Sequence, residues 1–109
     1  MNNILSILDN FAFENSDDIA KNIANDFRKR RIEKNMTRVQ VAEKSGVALS
    51  NIVRFEQKGL ISLKNLIGIA VALGYTSEIK NIFNEAKYST MDELLQIHKN
   101  TGKKKAHKS

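Results

Sequence analysis

The chain has 109 residues, 41% apolar and 28% charged, a composition that fits one compact domain with short extensions and excludes a disordered polymer. It has no cysteine, which rules out disulfides, thiolate zinc sites and cysteine nucleophiles. No apolar run approaches the roughly 20 residues a bilayer requires, and Met1 to Asn10 lacks the basic lead of a secretory signal. The net charge of +6 is unevenly spread: residues 20–60 hold ten Lys/Arg against four Asp/Glu and residues 99–109 hold five lysines, whereas residues 1–19 hold four acids and no base. A central basic segment with a basic end is what binding to a polyanion calls for.

Nearly every stretch follows the helical period and there is no proline, so the expected fold is all-α. Residues 3–11 put Ile4, Leu5, Leu8 and Phe11 on one helical face, with Phe13 beyond. This N-terminal extension, residues 1–15, either covers the core or faces a partner. Ser16 is the expected N-cap of the next helix, with Asp17 and Asp18 in its favoured first turn. That helix should run to about Lys34, with Ile19, Ile23, Phe27 and Ile32 on its apolar side and Asn35 as a left-handed stop. Thr37 to Gln40 reads as a capping box. It opens a short helix that should bury Val39, Val41 and Ala42 and end at Gly46. Gly46 to Ala48 is a tight turn.

The next helix covers Leu49 to Lys58. Ile52 and Phe55 point inward, while Ser50, Asn51, Val53, Arg54 and Gln57 stay outside; Gly59 ends it. Ser62 caps a very apolar helix, with Leu63, Leu66, Ile67, Ile69, Ala70, Val71 and Leu73 as core and Gly74 just past its end. A fifth helix is expected over residues 77–85, with Ile79, Ile82 and Phe83 on one side. Thr90-Met91-Asp92-Glu93 is a second capping box, opening a short helix within residues 86–100. The Lys-rich residues 101–109 have little to bury and should be a disordered tail.

The unit of short helix, glycine turn and polar-faced helix suits the major groove, about 12 Å wide. Ser and Asn hydrogen-bond base edges there, and Arg grips guanine O6 and N7 with two parallel bonds. The residues from Thr37 to Gly59, followed by Ser62-Leu63-x-x-Leu66 and Ala72-Leu73-Gly74, resemble the Cro/CI-type, or XRE, helix-turn-helix family. The offsets of Thr37, Ala42, Gly46, Val47, Ile52, Glu56 and Gly59 carry the resemblance, which covers about residues 20–85. It implies a five-helix, lambda repressor-like domain over residues 16–85 that binds double-stranded DNA as a homodimer on a palindromic operator, in a bacterial cytoplasm.

By position, the resemblance implies that Leu49, Ser50, Val53 and Arg54 meet base edges, that Asn51 and Lys58 lie nearer the backbone, and that Thr37 and Arg38 touch phosphate. It also implies a partly buried salt bridge between Arg31 and Glu56. Two departures stand out. Arg38 takes the place of a usual Gln, which suggests a charged phosphate clamp or a guanine contact. Ala48 takes the place of a frequent Ser and removes a side-chain cap. Arg28, Lys29 and Arg30 fit either phosphate contact or a solvated face.

Dimerisation is expected because one helix reads few bases; Ile79, Ile82 and Phe83 are candidates for that interface or for intrachain packing. His98 and His107 lack partner ligands, so no metal site or cofactor is expected. With no phosphate loop, nucleophile elbow or carboxylate pair, no enzyme is expected either. The segment Ala86 to Leu95 and the basic end are similar to HipB-type antitoxins, which implies a HipA-like kinase toxin as partner and autorepression. The alternatives are a stand-alone repressor of phage or mobile-element type, and a helical adaptor that binds proteins. Arg38, Arg54 and Lys58 have no obvious role in the apolar interface an adaptor would use.

Overall fold

A computed structural model describes residues 14–103; the expected helix at residues 3–11 and the last six residues of the basic tail lie outside them. Among the described residues there are six helices and no strand: α1 (Ser16–Glu33), α2 (Arg38–Ser45), α3 (Leu49–Lys58), α4 (Leu63–Ala72), α5 (Thr76–Lys80) and α6 (Met91–Lys103). Contacts divide the chain into two units, one up to Ile79 and one from Lys80 onward.

In the first unit α1 packs on α3, and α2 packs on both α3 and α4. The core comprises Ala24, Phe27, Val41, Val47, Ile52, Phe55, Ile69, Ala72 and Leu73. The Phe27 and Phe55 rings meet tilted by 59°, with centroids 5.6 Å apart, an arrangement that aligns ring edge with ring face.

The ends of α1 and α4 have a local reason. Asn35 adopts φ 55°, which lets Asn35 N–H reach the Ile32 carbonyl at 2.9 Å and Met36 N–H reach that of Arg31 at 3.1 Å. This Schellman arrangement satisfies carbonyls left over at the end of α1. Gly74 repeats it after α4, with bonds of 2.9 Å from Gly74 to Val71 and from Tyr75 to Ala70.

Several expectations are corrected. Asn15, not Ser16, caps α1: its side chain accepts from Asp18 N–H at 2.9 Å. Asparagine is as good a cap as serine, and Asn15 has the extended backbone the position needs. The inward face of α1 is Ala24, Phe27 and Arg31, while Ile19, Ile23 and Ile32 are exposed. The cause is the end of α3. A Cβ on Gly59 would lie 3.0 Å from backbone atoms of Ala20 and Lys21, so the backbones meet there, and the side of α1 that continues from Ala20 through Ala24, Phe27 and Arg31 is the one turned inward.

Val39, expected in the core, is exposed; so are Leu63, Ile67 and Val71, which fall on the outer side of α4 while Ile69 and Ala72 face in. The fifth helix ends at Lys80 rather than continuing to residue 85; Asn81 to Phe83 form turns. Asn84 bonds Asn81 there through its backbone (3.4 Å) and its side-chain amide (2.9 Å), so the backbone closes a tighter three-residue turn in place of the four-residue α-helical bond. Ile79 is half-buried, and Ile82 and Phe83 are exposed.

In the second unit, Thr90 caps α6 by accepting from Glu93 N–H at 3.0 Å, while Glu93 returns to Ser89 N–H and Oγ at 3.1 Å. Residues 101–103, expected in the disordered tail, are helical. Thr101 Oγ1 donates to the Ile97 carbonyl at 2.9 Å and the Gln96 side-chain amide donates to Asn100 Oδ1 at 3.2 Å in this last part of the helix.

Candidate nucleic-acid interface

The reading unit is built from α2, the turn and α3. The capping box at Thr37 is complete: Thr37 Oγ1 accepts from Gln40 N–H at 3.0 Å, and Gln40 Oε1 accepts from Thr37 N–H at 2.8 Å. Gly46 ends α2 at φ 74°, its N–H on the Ala42 carbonyl at 2.9 Å. The left-handed turn brings Val47 into the core, and Ser45 Oγ accepts from Val47 N–H at 3.1 Å. Ala48 then offers α3 no side-chain cap, as its missing hydroxyl requires.

Ile52 and Phe55 are buried and hold α3 in place. Its outer face carries exposed Ser50, Asn51, Arg54, Gln57 and Lys58, with Leu49 exposed at its start and Val53 half-buried. Among the described residues none of those polar side chains forms a hydrogen bond within the protein, so their donors and acceptors are open to a partner.

Behind this face sits a three-residue ion cluster. Arg31 Nε and Nη2 meet Glu56 Oε2 and Oε1 at 2.7 and 3.0 Å, and Arg31 Nη1 donates to the Met36 carbonyl at 2.9 Å. Arg38 Nε reaches Glu56 Oε1 at 2.9 Å. The Glu56 side chain is 1% exposed, that of Arg31 9% and that of Arg38 40%. Burial by itself would push the Glu56 carboxyl up. The hydrogen bonds and positive charges of Arg31 and Arg38 outweigh it, and the pKa is held below its ordinary value of 4.5. One carboxylate thus ties the end of α1 and the start of α2 to the last turn of α3, which fixes how α2 and α3 stand to each other.

The Arg38–Glu56 bond was not legible in the sequence. The two residues are 18 apart, on helices whose crossing no spacing reveals, and position pointed Arg38 to phosphate instead. Its two Nη nitrogens have no hydrogen-bond partner among the described residues, so the bond to Glu56 leaves that role open. Thr37, Arg38, Val39, Leu49 and Val53 line one open cleft between α2 and α3, with Arg31 at its base. Arg28 and Lys29 are exposed, and Arg30 pairs with Glu33 at 3.0 Å. Ile79, in the same unit, does not line this cleft.

Among the described residues no group of three or more His, Cys, Asp or Glu is placed to hold a metal ion, and no helix is long and apolar enough to cross a membrane. A comparison with curated proteins finds no match. A helix-turn-helix family model matches residues 27–80, a span that takes in the ion cluster, α2, the turn, α3 and α4. Over residues 27–80 the chain is thus similar to the XRE-type helix-turn-helix family, and its all-helical architecture is a Cro/CI-like helix-turn-helix fold, which supports a sequence-specific DNA-binding regulator.

Proposed function

We propose that the protein is a transcriptional repressor that binds a palindromic operator as a homodimer, α3 of each copy reading one half-site. The observation that carries this reading is the two-sided character of α3: Ile52 and Phe55 are buried, while Ser50, Asn51, Arg54 and Gln57 are exposed. In this reading Ser50, Val53, Arg54 and Leu49 meet base edges. Asn51, Lys58, Thr37 and Arg38 hold the sugar-phosphate backbone and set the register without reading sequence. Two copies would place their α3 helices about 34 Å apart, one turn of DNA. Such a complex blocks polymerase by occupying the site.

Selection of duplexes from random sequence tests this directly. The expected product is an inverted repeat with half-site centres about 10 base pairs apart, bound by two copies and losing affinity steeply with salt. Equal binding of selected and random duplexes would refute it, and a one-to-one complex would remove the dimer.

A second, narrower reading is an autoregulating antitoxin paired with a HipA-like kinase. It rests on the similarity of residues 86–95 and the basic end to HipB-type antitoxins, and on exposed Met91 and Leu95, four residues apart at the start of α6. Those two apolar side chains would bury against a partner. Co-expression with a kinase encoded beside it should give a stable complex that Met91→Asp and Leu95→Asp abolish. Failure of the two proteins to associate would leave the stand-alone repressor.

A further inference from the structure

The face turned to DNA in the reading above is not uniformly polar. Val39 is 51% exposed and Leu49 41% exposed, and with half-buried Val53 they line the cleft between α2 and α3. Leu49 and Val53 are four residues apart and so share a side of α3; Val39 faces them from the first turn of α2. Arg38 stands on the same cleft with its Nη nitrogens unpartnered among the described residues and its Nε held by Glu56.

Such a patch is of no use against phosphate, and pressing it onto the donors and acceptors of base edges would cost their hydration without replacing it. One apolar group is on offer in the major groove, the C5-methyl of thymine. The cationic rim supplied by Arg38 draws the cleft to a polyanion rather than to an apolar protein surface. We infer that Val39, Leu49 and Val53 form a methyl-reading cleft, and that each operator half-site carries thymine beneath the junction of α2 and α3. Val39 is thereby a specificity residue beside the polar face of α3. The inference rests on the DNA-reading proposal and names what that site selects.

The test uses the full chain and the duplex obtained by selection. Each thymine of a half-site is replaced in turn by deoxyuridine, which removes the methyl and leaves every hydrogen-bonding group in place. At one or two positions affinity should fall about four-fold per methyl, the cost of exposing one buried methyl-sized group. Val39→Ala, at an exposed position, should bind the thymine duplex more weakly and the deoxyuridine duplex no worse than the unaltered protein does. Replacing cytosine by 5-methylcytosine outside those positions should have no effect. A selected half-site without thymine, or one bound equally well with every thymine replaced, would overturn the inference while leaving sequence-specific binding intact. If selection yields no preferred sequence, the DNA-reading proposal itself falls, and this inference with it.

Discussion

Replacing Glu56 by alanine removes the one anion that neutralises two arginines. Arg31 is 9% exposed and would keep only its bond to the Met36 carbonyl, while Arg38, 40% exposed, can turn to water. Removing one partner of a buried ion pair typically costs about 3–5 kcal/mol, because the remaining charge stays desolvated. Since one arginine keeps a carbonyl and the other is partly solvated, the low end applies, about 3 kcal/mol. For a domain whose whole stability is on the order of 5–15 kcal/mol, that is a drop in melting temperature of roughly 10–20 °C.

Urea and thermal melts followed by circular dichroism measure the loss. Adding Arg31→Met to Glu56→Ala should recover part of it, since the stranded cation is then gone as well. The pH profile gives a second check. The folded-state pKa of Glu56 is held below 4.5, so its contribution is fully present above the unfolded value and is lost as pH falls through the lowered folded one. The substituted protein should therefore lose less stability between about pH 5 and pH 3 than the original. A melt within about 1 kcal/mol of the original, or an unchanged acid limb, would refute the reasoning.

Gly59→Ala should cost about 2–4 kcal/mol, because φ 70° is strained for alanine and the new Cβ would press at 3.0 Å on the backbone of α1. Gly46→Ala, at φ 74° with nothing within 4 Å, should cost only about 1–2 kcal/mol; equal urea midpoints for the two would mean that the α1–α3 approach is looser than described. Arg54→Ala should weaken operator binding by about 1–3 kcal/mol and relax the choice at one base pair, read by repeating the selection; equal loss on all sequences would reassign Arg54 to phosphate. Arg38→Gln should reduce the slope of log affinity against log salt by about one unit and leave the selected sequence unchanged; an altered sequence would make Arg38 a base reader.

What was legible in the sequence was local. The helix over Leu49–Lys58 with Ile52 and Phe55 inward, the Thr37–Gln40 box, the left-handed stops at Asn35, Gly46, Gly59 and Gly74, and the uncapped Ala48 follow from neighbours within four residues, where periodicity and capping chemistry act. What only the tertiary structure decided depends on how helices cross. Apolar character alone made Ile19, Ile23, Val39, Leu63, Ile67 and Val71 look like core, but a helix has a single inward side. At α1 that side was chosen by the close approach of Gly59, and it went to Ala24, Phe27 and Arg31. The same crossing brings Arg38 to Glu56 and leaves Val39 facing Leu49 and Val53, because helix ends far apart in sequence become neighbours only once the backbones have packed.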